Sequence, residues 1–138
     1  MKYPGKIISY GLLLFLVWLL SSYVSALATG TQGQGPPEVD FNSRPLVISG
    51  VSIALLMAGA AYWFSRNLHL PTKRDALITS VWWIVIVVAL QILVMWPYQT
   101  TPALFSAWAM YFPYLGIVSA ATLGVQKTNP VSTQNPYP

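Results

Sequence analysis

ALITSVWWIVIVVALQILVMW, residues 76–96, runs from Asp75 to Pro97 without one charged or histidine side chain. A helix that crosses the hydrocarbon core of a bilayer needs about 20 mainly apolar residues, and this run supplies them. It is apolar on every face, whereas a helix lying on a soluble core keeps a polar side toward water. Residues 7–28, 46–64 and 102–125 share its character, and none of the four holds Asp, Glu, Lys, Arg or His. Together they use most of the 138 residues and leave only short connections. The sequence therefore predicts an all-α integral membrane four-helix bundle. It forms one domain over residues 1–126, followed by a polar, proline-rich tail over 127–138.

Composition points the same way. Hydrophobic residues make up 55% of the chain and charged residues 7%, against roughly 25% charged in an average soluble domain. So few charges cannot cover the surface of a small water-soluble fold. Cysteine is absent, which removes disulfides, thiolate-bound metals and cysteine nucleophiles. The net charge of +4 is scattered over the ends of the runs with no basic stripe, so no nucleic-acid partner is expected.

The punctuation between the runs sets their limits. Ala26-Leu27-Ala28 has the small-x-small form of a signal-peptide cleavage site. The apolar run before it is longer than the usual h-region of about 7–15 residues, so a retained first helix is expected. Residues 29–45 form the outer loop; Thr29 to Pro37 (TGTQGQGPP) is built from turn formers. Ser43 is placed to cap the second helix, with Pro45 in its first turn. Thr72 and Asp75 have the spacing of a capping box and start the third helix near Lys73. Thr101-Pro102 is a start signal for the fourth.

Lys and Arg decide orientation. With the N-terminus inside, the cytoplasmic segments carry Lys2, Lys6, Arg66, Lys73, Arg74 and Lys127, and the outer loops carry only Arg44. The expected topology is N-in/C-in. Tyr3, Tyr10, Tyr62, Trp63, Trp82 and Trp83 fall toward the inner interface, and Tyr23, Trp96 and Tyr98 toward the outer one. Aromatic rings are favoured at both levels.

Reactive chemistry is sparse. Ionisable groups inside a membrane mark proton relays and ion paths, and the spans contain none. Glu38, Asp40 and Asp75 stand apart, and no nucleophile–base pair or metal-ligand spacing is visible, so catalysis by this chain is not expected. His69 reads either as an interfacial histidine in a basic loop or as a ligand to a haem or pigment metal at the membrane edge. Arg66, Lys73 and Arg74 set topology and are candidates for holding a lipid headgroup. Gln91 is a hydrogen-bonding contact between helices, or alternatively a pigment ligand or part of a polar substrate pocket. No cofactor is predicted. Bound lipid is expected, with His69 and Gln91 as the positions for a pigment or haem.

Small residues give the clearest pattern. Gly50, Ala54 and Ala58 recur at every fourth position of the second span, as do Gly116, Ala120 and Gly124 of the fourth. Such faces let helix backbones approach closely, within the bundle or against a partner helix. Pro113, inside the fourth span, predicts a kink.

Lys73-Arg74-Asp75-Ala76-Leu77-Ile78, Val81-Trp82, Met95-Trp96-Pro97 and Tyr111-Phe112-Pro113-Tyr114 resemble a family of small four-helix prokaryotic membrane proteins of uncharacterised function. The resemblance covers the third and fourth spans and implies the four-span layout in a prokaryotic plasma membrane, without an activity. The glycine-rich outer loop is longer than that family's pattern.

The leading expectation is a non-catalytic accessory subunit of a larger membrane complex, such as a respiratory, photosynthetic or other oxidoreductase assembly. Its partners would be membrane lipids and other transmembrane subunits. The second is a small oligomeric transporter or channel for a neutral or apolar solute, with Gln91, Tyr111, Tyr114 and the Pro113 bend along its path. The third is a pigment- or lipid-binding membrane module.

Overall fold

A computed structural model of the chain describes residues 4–30, 43–98 and 108–125. Among them the chain is all-helical, with four α-helices: α1 (Pro4–Thr29), α2 (Arg44–Leu68), α3 (Lys73–Met95) and α4 (Phe112–Leu123). Short 3-10 turns lie at Trp96–Tyr98 and Trp108–Tyr111. Three of the helices, α1 to α3, are long and apolar enough to cross a membrane. At 1.5 Å per residue they extend about 35–39 Å, beyond the ~30 Å hydrocarbon core. Each begins or ends a few residues outside its apolar run, because backbone hydrogen bonding continues past Lys6, Arg66 and Arg74 where hydropathy stops.

The caps show which local signals act. The Thr72 hydroxyl accepts from the Asp75 N–H at 3.1 Å and donates to the Asp75 carboxylate at 2.6 Å, so α3 starts at Lys73 as its capping spacing predicts. Ser43 differs. It stands at the N-cap of α2 with Pro45 in the first turn, but its side chain makes no capping bond. Its contribution is the carbonyl, which accepts from the Val47 N–H at 2.9 Å.

The fourth helix departs from the sequence reading. The α-helix begins at Phe112, directly after the 3-10 turn, and Pro113 occupies its first turn. Pro113 is therefore part of a helix start and not a kink within a continuous span. Its missing N–H is one that a helix N-terminus leaves unpaired in any case. The α-helical part is about 18 Å long and the preceding 3-10 turn adds about 8 Å. The expected start of this span at 102, most of the outer loop 29–45 and the tail 127–138 lie outside the described residues.

The helices pack in the order α1, α2, α4, α3 around the bundle, so α2 and α3 stand diagonally opposite although only a short turn joins them. The α2–α4 contact is the most extensive. There the two small-residue stripes face each other. A methyl placed on Gly116 would lie 3.1 Å from the Ala54 carbonyl oxygen and 3.3 Å from Ala58 Cβ. One on Gly124 would lie 2.8 Å from Ser65 Cβ and 3.0 Å from the Tyr62 carbonyl oxygen. The Ser65 hydroxyl crosses this interface to the Ala121 carbonyl at 2.8 Å. Residue numbers rise together along both helices, so the pair is parallel.

The centre is filled by Leu14, Trp18, Met57, Trp83, Val87 and Ile117, all fully buried. Trp83, expected from sequence at the interface, is a core residue: its indole N–H donates to the Ile7 carbonyl of α1 at 3.1 Å. Phe64 of α2 meets the Trp83 ring edge-on at 6.3 Å and stacks on Tyr10 of α1 at 4.5 Å. Trp63, Trp82 and Trp96 are exposed.

Gly116→Ala and Gly124→Ala should each force α2 and α4 apart and cost about 1–3 kcal/mol, the usual range for overpacking a close contact. Gly59, beside which a methyl meets nothing within 4 Å, is the control, and Gly59→Ala should cost nothing and add up to about 1 kcal/mol through helix propensity. Thermal melting in detergent compares the three.

Candidate functional site

Two polar constellations stand out, at opposite ends of the bundle. The first follows from the diagonal placement of α2 and α3. Phe64 and Trp83 fill the space between them. Beyond these rings the turn has to bridge a gap, and a cavity of about 520 Å³ opens there beside the start of α1. Ile7, Leu68, Leu70, Pro71 and Ile78 form its apolar side. Lys6, Asn67, His69, Asp75 and Thr79 bring its polar groups. The volume lies within the ~300–1,000 Å³ common for small-molecule sites.

His69 closes α2 in the left-handed conformation, φ 50° and ψ 50°, with its N–H on the Arg66 carbonyl at 3.2 Å. Glycine normally takes this position, and a side chain there costs of the order of 1 kcal/mol. The ring Nδ1 lies 3.0 Å from the Asn67 carbonyl oxygen. A carbonyl only accepts, so the contact suits the Nδ1–H tautomer, which has its lone pair on Nε2. Thr79, 3% exposed, lines the cavity, and its hydroxyl makes no hydrogen bond among the described residues.

Arg66, Lys73 and Arg74, the trio that sequence marks for a headgroup, are exposed and line no part of this cavity. Arg66 leans on Tyr62, with Nη1 donating to the hydroxyl at 3.2 Å and the guanidinium 5.8 Å from the ring centre. Of the residues singled out from sequence for binding, only His69 reaches the cavity. Lys6, Asn67 and Thr79 were missed. Lys6 comes from a distant part of the chain, and no motif ties it to the turn. Asp75 and Thr79 are four apart on one helix and thus share a face, which is the one local sign of the site.

The second constellation joins α3 to α4. Gln91 is 1% exposed, and its Oε1 accepts from the Tyr114 hydroxyl. Its amide nitrogen is buried without a partner among the described residues. Tyr111 meets the Tyr114 ring edge-on at 6.4 Å. This geometry is that of a polar contact between helices. His69 precedes α3 and Gln91 stands near its far end, about 27 Å along the axis at 1.5 Å per residue, so the two cannot share a ligand. No group of three or more His, Cys, Asp or Glu capable of holding a metal ion occurs among the described residues.

Comparison with known proteins finds no matching family model, no matching curated protein and no matching solved structure. The site is therefore read from its own geometry.

Tyr114→Phe should destabilise the bundle by about 1 kcal/mol, the scale of hydrogen bonds between membrane helices. Gln91→Leu should cost a similar amount, and the double variant less than the sum, because neither group is then left unpaired. A double-mutant cycle measured by unfolding in detergent checks the coupling; strict additivity would contradict the contact.

Proposed function

We propose that the chain is a non-catalytic integral membrane subunit that crosses the bilayer four times, with both termini on the cytoplasmic side, and packs against other transmembrane chains. The observation that carries this reading is the far half of α1. Its buried residues are Ile7, Gly11, Leu14, Phe15 and Trp18, and none follows over residues 19–29. That half-helix is apolar and exposes Leu20, Tyr23, Val24 and Leu27. Ser21, Ser22, Ser25 and Ala26, on its other side, are half-buried, so the face it offers to a partner is the apolar one. Gly116 and Gly124 of α4 are used against α2 within the bundle, whereas this half of α1 presents an apolar face that no described residue buries.

Orientation is supported by charge. Lys6, Arg66, Lys73 and Arg74 lie at the end that holds the start of α1 and the α2–α3 turn, while Arg44 lies at the other. The transporter reading fares less well. The space between the helices is filled by Trp18, Met57, Trp83 and Ile117, and Gln91 and Tyr114 bond to each other rather than to a path. The lipid-binding reading is favoured by a separate observation, the cavity at the turn.

Native mass analysis after gentle extraction from the source membrane should find the chain in a large, reproducible complex. Changing the exposed Leu20, Val24 and Leu27 to Ala should release it without loss of helicity. A wild-type chain that migrates alone or as a small homo-oligomer would overturn the subunit reading and favour the transporter.

A further inference from the structure

We propose that the cavity at the α2–α3 turn is a binding site for one membrane lipid with a zwitterionic headgroup, a phosphate diester carrying a primary amine. This rests on the membrane-spanning reading above and not on the subunit role.

Four observations converge. The cavity is divided, with aliphatic side chains on one side and a complete set of polar groups on the other. Ile78 both lines the cavity and is 42% exposed on the outer face of α3, so the apolar side continues onto the surface that meets the acyl chains. Thr79, almost wholly buried, lines the cavity one helical turn from Asp75. A hydroxyl at this position is able to donate to a bound phosphate oxygen. Finally, the charges come in opposite signs, Lys6 and Asp75.

The charges choose among lipids. A headgroup that is only anionic meets Lys6 favourably and is repelled by Asp75. One that is only cationic meets the reverse. A zwitterion places its phosphate toward Lys6, Thr79 and the Asn67 amide, and its ammonium toward the Asp75 carboxylate. His69 takes part through Nε2, which accepts a hydrogen bond from the ammonium while Nδ1–H stays on the Asn67 carbonyl. The strained backbone at His69 thus places a ring where the headgroup needs an acceptor. The exposed Arg66, Lys73 and Arg74 surround this end as a diffuse positive field and make no part of the pocket.

The test uses the full chain, delipidated in detergent and titrated by native mass spectrometry. The probes are phosphatidylethanolamine, phosphatidylglycerol, diacylglycerol and soluble phosphoethanolamine. Phosphatidylethanolamine should bind at least about tenfold more tightly than diacylglycerol, the value of one charge-assisted hydrogen bond. Phosphatidylglycerol should fall between them. Asp75→Asn keeps the capping geometry and should erase the preference for the amine lipid. Thr79→Val should weaken both phospholipids several-fold. Arg74→Gln should change nothing. Circular dichroism confirms that each variant is folded, and flotation with liposomes tests membrane insertion separately.

Equal binding of diacylglycerol and phospholipid would overturn the site. An amine preference that survives Asp75→Asn would overturn the headgroup assignment. Phosphoethanolamine binding as tightly as the lipid would show a site for a soluble phosphate ester instead.

Discussion

Trp83 is the residue on which the arrangement of the helices depends. Its ring is fully buried between α2 and α3, and its N–H is bonded to the Ile7 carbonyl of α1. An indole in lipid has to find an acceptor for that proton, and a helix carbonyl retains a second lone pair to offer. The bond therefore fixes the height of α1 against α3, while Phe64, edge-on to the same ring, carries α2. Three helices meet at one side chain whose bulk keeps α2 and α3 on a diagonal. The cavity at the turn is the geometric remainder of that separation.

Close packing on the other side of the bundle supplies the complementary constraint. On the membrane-spanning reading no hydrophobic driving force acts between the helices, so attraction comes from dispersion at short range and from occasional hydrogen bonds. Gly116 and Gly124 remove the side chains that would hold α4 away from Ala54, Ala58 and Ser65, and the Ser65 hydroxyl adds one bond where the backbones are near. The bundle thus combines one side spaced by aromatic rings with one side drawn together by the absence of side chains. Gln91 and Tyr114 join the two near the start of α4.

Much of this was legible in the sequence, for local reasons. Charge-free runs near the length of a bilayer crossing gave the helices, and the Thr72–Asp75 spacing located the start of α3. The four-residue stripes showed which faces pack closely, but not against what, because periodicity names a face and never its neighbour. Ser43 misled because a capping residue type does not guarantee a capping rotamer. Pro113 misled because proline has two helical roles, and only the true start of α4 at Phe112 separates them. Trp83 looked like an interfacial residue since depth along a helix is readable from hydropathy while rotation toward the core is not. The cavity was hidden for a different reason. Its polar groups come from the start of α1, the end of α2 and the start of α3, and only the diagonal placement brings them together.

That placement also bears on how the chain is made. Each helix has a parallel neighbour two elements away in sequence, α1 with α3 and α2 with α4. The α2–α3 hairpin, which emerges from the ribosome as a unit, has little backbone contact of its own to hold it. The extensive face of α2 waits until α4 has been synthesised. Domains dominated by such non-local contacts fold late and expose their surfaces meanwhile. A nascent chain that still lacks α4 leaves the glycine-matched face of α2 bare, and the window for mispairing stays open until α4 arrives.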